Sequence, residues 1–108
     1  MDGARLPMAL AAESNDMTLA DIAAFTDVFY IGGTKCGALL GEAVVITNPE
    51  LDKDFKYHLK QRGALTAKGR VMGVQFDQLL QGNLIFDLAA HANKMAAKMA
   101  AAFKALGY

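Results

Sequence analysis

Three short clusters combine residue types that can do chemistry. The first is Gly32-Gly33-Thr34-Lys35-Cys36-Gly37. Glycines on both sides of one lysine, directly after an apolar stretch, make a tight turn that presents the amine from constrained backbone. A lysine in a sheltered site can shed its proton and attack a carbonyl, which is how Schiff-base lysines work. A solvated lysine on a glycine turn fits the same residues. The run is not a phosphate P-loop, which needs Gly-x-x-x-x-Gly-Lys-Ser/Thr. The second cluster is Asp2-Gly3-Ala4-Arg5. A carboxylate followed by a guanidinium, just after a strand, would sit where open α/β sheets place ligands. An ordinary surface pair is the alternative. The third is Gly63-Ala64-Leu65-Thr66-Ala67-Lys68-Gly69-Arg70. Two cations flank a glycine at a predicted helix start, where backbone N–H groups also favour a phosphate or carboxylate. An exposed basic turn would look the same.

Other reactive side chains read as structural. Cys36 has no His or Asp near it in sequence and reads as a small buried filler. His58, among Lys56, Tyr57 and Lys60, reads as surface. Asp87, His91, Lys94 and Lys98 read as a solvated stripe on a helix. The six methionines read as packing. A single cysteine excludes an internal disulfide framework and a cysteine-based zinc site, and the two histidines are too far apart for a paired metal motif.

The elements that must position these clusters follow from local signals. Ser14-Asn15-Asp16 reads as a loop. Thr18, with Asp21 three residues on, caps a short helix to about Phe25. A buried strand over 27–31 stops at Gly32-Gly33, and a second is predicted over 39–47. Asn48-Pro49 opens a helix running to about Arg62 and stopped by Gly63. Further helices are predicted over 71–81 and over 84–106, the latter ended by Gly107. In the last helix Leu88, Ala92, Met95, Met99 and Phe103 form one apolar seam. The class is α/β, with two or three strands and several helices. So few strands cannot form a self-sufficient sheet covered on both faces, so part of a larger α/β chain is expected.

The 108 residues carry 11 basic and 11 acidic side chains, and 54% are apolar with glycine not counted. Ordinary domains reach about 45–50% only with glycine included. The excess points to apolar surface meant for a partner or for further chain. The charge balance argues against nucleic acid and against an anionic membrane patch. No apolar run approaches the roughly 18 residues of a membrane span. The opening residues lack the apolar core of a secretory signal, and a cytoplasmic location is expected.

Taken in order, Met1-Asp2-Gly3-Ala4-Arg5-Leu6, Gly33-Thr34-Lys35-x-Gly37 and Ala67-Lys68-Gly69-Arg70 resemble the threonine aldolase and β-eliminating lyase family. These are pyridoxal-phosphate enzymes of the aspartate-aminotransferase-like fold. The resemblance spans nearly the whole chain, including His91-Ala92-Asn93, but only a central third of the family's length. It implies a fragment of the large domain: residues 1–83 its C-terminal part, and 84–108 a long helix leading toward a small domain. It implies that Lys35 condenses with the cofactor and that Asp2 pairs with the pyridine nitrogen. Arg5 would lie near the ring oxygen and the substrate carboxylate. Thr34 would line the cofactor site, and Lys68 and Arg70 would hold the cofactor phosphate, which could be that of a neighbouring subunit. No metal is implied. The implied enzyme is a homo-oligomeric lyase, of the low-specificity threonine aldolase kind, cleaving a β-hydroxy amino acid to glycine and an aldehyde. The alternatives are a truncated, inactive remnant of such an enzyme and a small helical interaction module. Cys36 stands where the family often has Asn, which leaves substrate preference open.

Overall fold

A computed structural model describes all residues, Met1–Tyr108. The chain opens with helix α1 (Leu6–Leu10) and helix α2 (Leu19–Phe25), followed by strands β1 (Val28–Gly32) and β2 (Glu42–Ile46). Helices α3 (Pro49–Asp52), α4 (Phe55–Gln61) and α5 (Arg70–Leu80) come next. A 3-10 turn (Gln81–Asn83) then leads into the long α6 (Leu84–Ala105).

Local chemistry accounts for most of these boundaries. Thr18 and Asp21 form a reciprocal cap: the Asp21 N–H donates to Thr18 Oγ1 at 3.2 Å, and the Thr18 N–H donates to Asp21 Oδ2 at 2.7 Å. Asn48 caps α3 by accepting from the Glu50 N–H at 3.0 Å. The helix expected from Pro49 to about Arg62 is broken, because Lys53 leaves helical geometry and Asp54 adopts a left-handed φ of 62°. Ahead of the Ser14-Asn15-Asp16 loop, where the local signals name no element, α1 forms with a proline in its first turn.

The two strands pair antiparallel, Val28 opposite Ile46 through to Gly32 opposite Glu42. Residues 1–3 run along the free edge of β1 in the same direction as it. The Met1 amino group donates to the Val28 carbonyl at 2.6 Å, and the Gly32 N–H donates to the Gly3 carbonyl at 2.8 Å. This approach is so close that a Cβ on Gly3 would lie 1.7 Å from the Tyr30 carbonyl oxygen. A Cβ on Gly32 would lie 2.1 Å from that of Ala4. Both positions therefore require glycine on steric grounds.

One face of the sheet carries the core. Phe29 and Ile31 are buried there with Leu6, Ile22, Cys36, Ala38, Leu79 and Ile85, and Ala43 and Val45 pack against them. The other face presents Val28, Tyr30, Val44 and Ile46, none of which belongs to the core. The long helix α6 docks through Ile85 and Ala89 and is tied down where Asn93 donates to the Met8 carbonyl at 2.9 Å. The expected seam is corrected here. Leu88 is exposed and Met99 and Phe103 stand in solvent, because the packed row is Ile85, Ala89 and the half-buried Ala92.

Only 14 residues are buried, and the accessible surface is 7881 Å², against about 5,800 Å² for a compact monomer of this mass. The radius of gyration is 16.6 Å, where about 13 Å is usual for this length. The apolar excess in the composition is thus surface. No helix is long and apolar enough to cross a membrane.

Candidate active site

Because residues 1–3 and β1 run parallel, their C-terminal ends leave the sheet on the same side. Ala4 and Arg5 emerge from one, and Gly33, Thr34 and Lys35 from the other. Open α/β sheets bind ligands at such an edge.

The loop after β1 is anchored at both ends. The Gly33 carbonyl accepts from the N–H groups of Cys36 (2.9 Å) and Ala38 (3.0 Å), closing the turn that carries Lys35. The Gly33 N–H donates to Glu42 Oε2 at 3.1 Å. A Cβ on Gly33 would meet the Gly41 carbonyl oxygen at 2.3 Å and the Phe76 ring at 2.8 Å. Farther along, Gln75 of α5 accepts from the Leu39 N–H at 2.7 Å and donates to the Leu40 carbonyl at 3.3 Å. Thr34 and Lys35 themselves are exposed on this turn, so of the two readings of the glycine-flanked lysine, sheltered or solvated, these residues alone form the solvated one.

Asp2 lies beside them. Its Oδ1 accepts from the Tyr30 hydroxyl and, at 3.0 Å, from the Ala4 N–H. The Tyr30 hydrogen bond foremost, then that from Ala4, holds the carboxyl below the usual aspartate range. The positive charge of Lys35 reaches it and acts in the same direction. Tyr30 is pushed the other way: its bond to Asp2 raises the phenol and keeps it a donor. Burial raises the Cys36 thiol, and Glu42 adds to this, while Arg5 and Lys35 act against it. Asp2, Arg5, Tyr30, Lys35, Cys36 and Glu42 thus share one electrostatic neighbourhood. Arg5 and Asp2 also line an open cavity of about 440 Å³ with Met1, Leu6 and Leu10.

Comparison with known proteins gives this arrangement a context. No protein-family model matches the chain. It is 37% identical over 100 residues to the low specificity L-threonine aldolase of Pseudomonas aeruginosa, covering 93% of this chain and 29% of that enzyme. The corresponding enzyme of a Pseudomonas sp. is 38% identical over 96 residues, with 89% of this chain and 28% of the enzyme covered. The structure of Leishmania major threonine aldolase superposes with a TM-score of 0.96 at 54% identity. That match covers 98% of this chain and 31% of the other. The chain belongs to the threonine aldolase family. It spans less than a third of the length of the relatives it matches.

Within this threonine aldolase segment, Asp2 and Arg5 line one cavity, and Lys35 stands on the exposed turn after β1, its charge reaching Asp2. Lys68 and Arg70 stand elsewhere. Both are exposed at the start of α5, and neither is among the charges that reach Asp2 or Cys36. The sequence reading passed over Tyr30 and Glu42. The signal for Tyr30 was available: it alternates with the apolar Phe29 and Ile31, so its side chain had to leave the core face. Glu42 could be found only once the register placed it opposite Gly32.

Proposed function

We propose that these residues form the cofactor-holding edge of a pyridoxal-phosphate-dependent lyase of the low-specificity threonine aldolase kind. The reaction is the cleavage of a β-hydroxy amino acid into glycine and an aldehyde. The supporting observation is the Asp2 carboxylate. It is kept ionised by two donors on Oδ1, its Oδ2 is left free, and it lies within reach of the Lys35 charge. An ionised acid with one open oxygen fits a protonated ring nitrogen, and a lysine on a rigid turn fits covalent capture of an aldehyde.

When bound, pyridoxal phosphate supplies an aldehyde that captures amines and a protonated ring that draws electrons from the substrate α-carbon. The residues of this chain do the rest. Lys35 Nζ would hold the cofactor through its aldehyde carbon, and Asp2 would hold the proton on its ring nitrogen. Arg5, beside Asp2, carries the fixed charge for the substrate carboxylate. Thr34 lines the turn next to Lys35. Lys68 and Arg70 are assigned to the cofactor phosphate of a neighbouring subunit, an assignment consistent with their exposure in their own chain. The whole enzyme is then a homo-oligomer. Residues 1–83 belong to its large domain, and 84–108 lead to the small domain.

The exposed apolar surface favours a second reading for these 108 residues alone: a piece that binds no cofactor until further polypeptide covers it. One experiment separates the two. Pyridoxal phosphate is added, the adduct is trapped with borohydride, and labelled peptides are mapped. The first reading expects the label on Lys35, abolished in Lys35→Ala and kept in Lys53→Ala. Label spread over surface lysines, or none, supports the second.

A further inference from the structure

We infer that Tyr30 is the positioning residue for Asp2: its hydroxyl occupies one carboxylate oxygen and thereby commits the other to the ring nitrogen of the cofactor. The inference rests on the assignment of Asp2 made above and deepens it.

The geometry is specific. Asp2 is an exposed residue, and an exposed aspartate would ordinarily rotate freely. Here its backbone is pressed onto β1 by the Gly3 approach to Tyr30, and its side chain is held by Tyr30 and by the Ala4 N–H. Both donors fall on Oδ1, and no group of the chain donates to Oδ2. A phenol has a single proton to give, and that of Tyr30 goes to Asp2. Its side chain leaves β1 on the face away from Phe29 and Ile31, so the core does not need it. Tyr30 does not act as a base, because the neighbouring Asp2 charge disfavours its ionisation. Its contribution is orientation and charge: a hydrogen bond to an ionised carboxylate is about twice as strong as a neutral one.

The test uses Tyr30→Phe in the full chain with two aldehyde probes. Pyridoxal phosphate has the ring nitrogen, whereas salicylaldehyde has the same aldehyde and hydroxyl but none. Borohydride-trapped label on Lys35 is measured against probe concentration. The expected result is about tenfold weaker capture of pyridoxal phosphate by Tyr30→Phe, with salicylaldehyde capture unchanged. In the cofactor-free chain, NMR titration of the Asp2 carboxyl should show its midpoint rising toward the ordinary aspartate value. Equal losses for both probes, no loss for either, or an unmoved Asp2 midpoint would overturn the inference while Lys35 still takes label. If the unaltered chain labels Lys35 with neither probe, the reading in which these 108 residues hold the cofactor by themselves fails, and this inference falls with it.

Discussion

From Gly3 to Ala38 the chain buries residue after residue, and backbone meets backbone at distances only glycine allows. From Pro49 to Gln75 no residue is buried at all. The first region carries Asp2, Arg5, Tyr30 and Lys35; the second carries Lys68 and Arg70. The ring-facing half of the proposed site is therefore built by tight packing within one chain. The phosphate-facing half is offered on a surface that something else must complete.

That contrast can be broken by substitution. Gly3→Ala should be the most damaging, because its Cβ would overlap the Tyr30 carbonyl and lift residues 1–3 off β1. A loss of about 3 kcal/mol or more is expected in denaturant unfolding, with loss of Lys35 labelling. Ile85→Ala, at a fully buried position, should cost about 3 kcal/mol by the same measurement. Thr18→Ala removes the α2 cap and should cost about 1 kcal/mol.

The cap also sharpens the comparison through pH. Asp21 is held below the usual aspartate range by Thr18, as Asp2 is by Tyr30. A carboxyl with a depressed folded value stabilises the fold above its unfolded value of about 3.9. That contribution disappears as pH falls through the lower folded value. Unfolding midpoints should therefore drop on acidification below about pH 4, less steeply in Thr18→Ala. At the small end, Lys68→Ala and Arg70→Ala should each change stability by no more than about 0.5 kcal/mol. Amide exchange should be slow over Val28–Gly32 and fast over Phe55–Gln61.

The same division governs what the sequence made legible. Thr18 with Asp21, Asn48 with Pro49, and the glycine stop at 107 are local signals, and each marks a boundary in the structure. The break at Asp54 was not legible, since Pro49 to Arg62 reads as one helix and no residue of it is buried to enforce that. The α6 seam was read one row off because Ile85 and Ala89 are chosen by their partners in α1, the strands and α5, not by their own helix. Lys35 and Asp2 stood out by type and by glycine context. Tyr30 did not, because its partner lies far away in sequence and is reached only when residues 1–3 line up along β1.

The turn after β1 has one more effect. It places two potential nucleophiles side by side, the amine of Lys35 and the thiol of Cys36, and sorts them by access. The thiol is folded inward, 3% exposed, and discouraged from ionising, while the amine points to solvent. Thiolates, not thiols, attack carbonyl carbon. An incoming aldehyde therefore meets nitrogen and not sulfur, and alkylating reagents should spare Cys36 for as long as the hairpin stays closed.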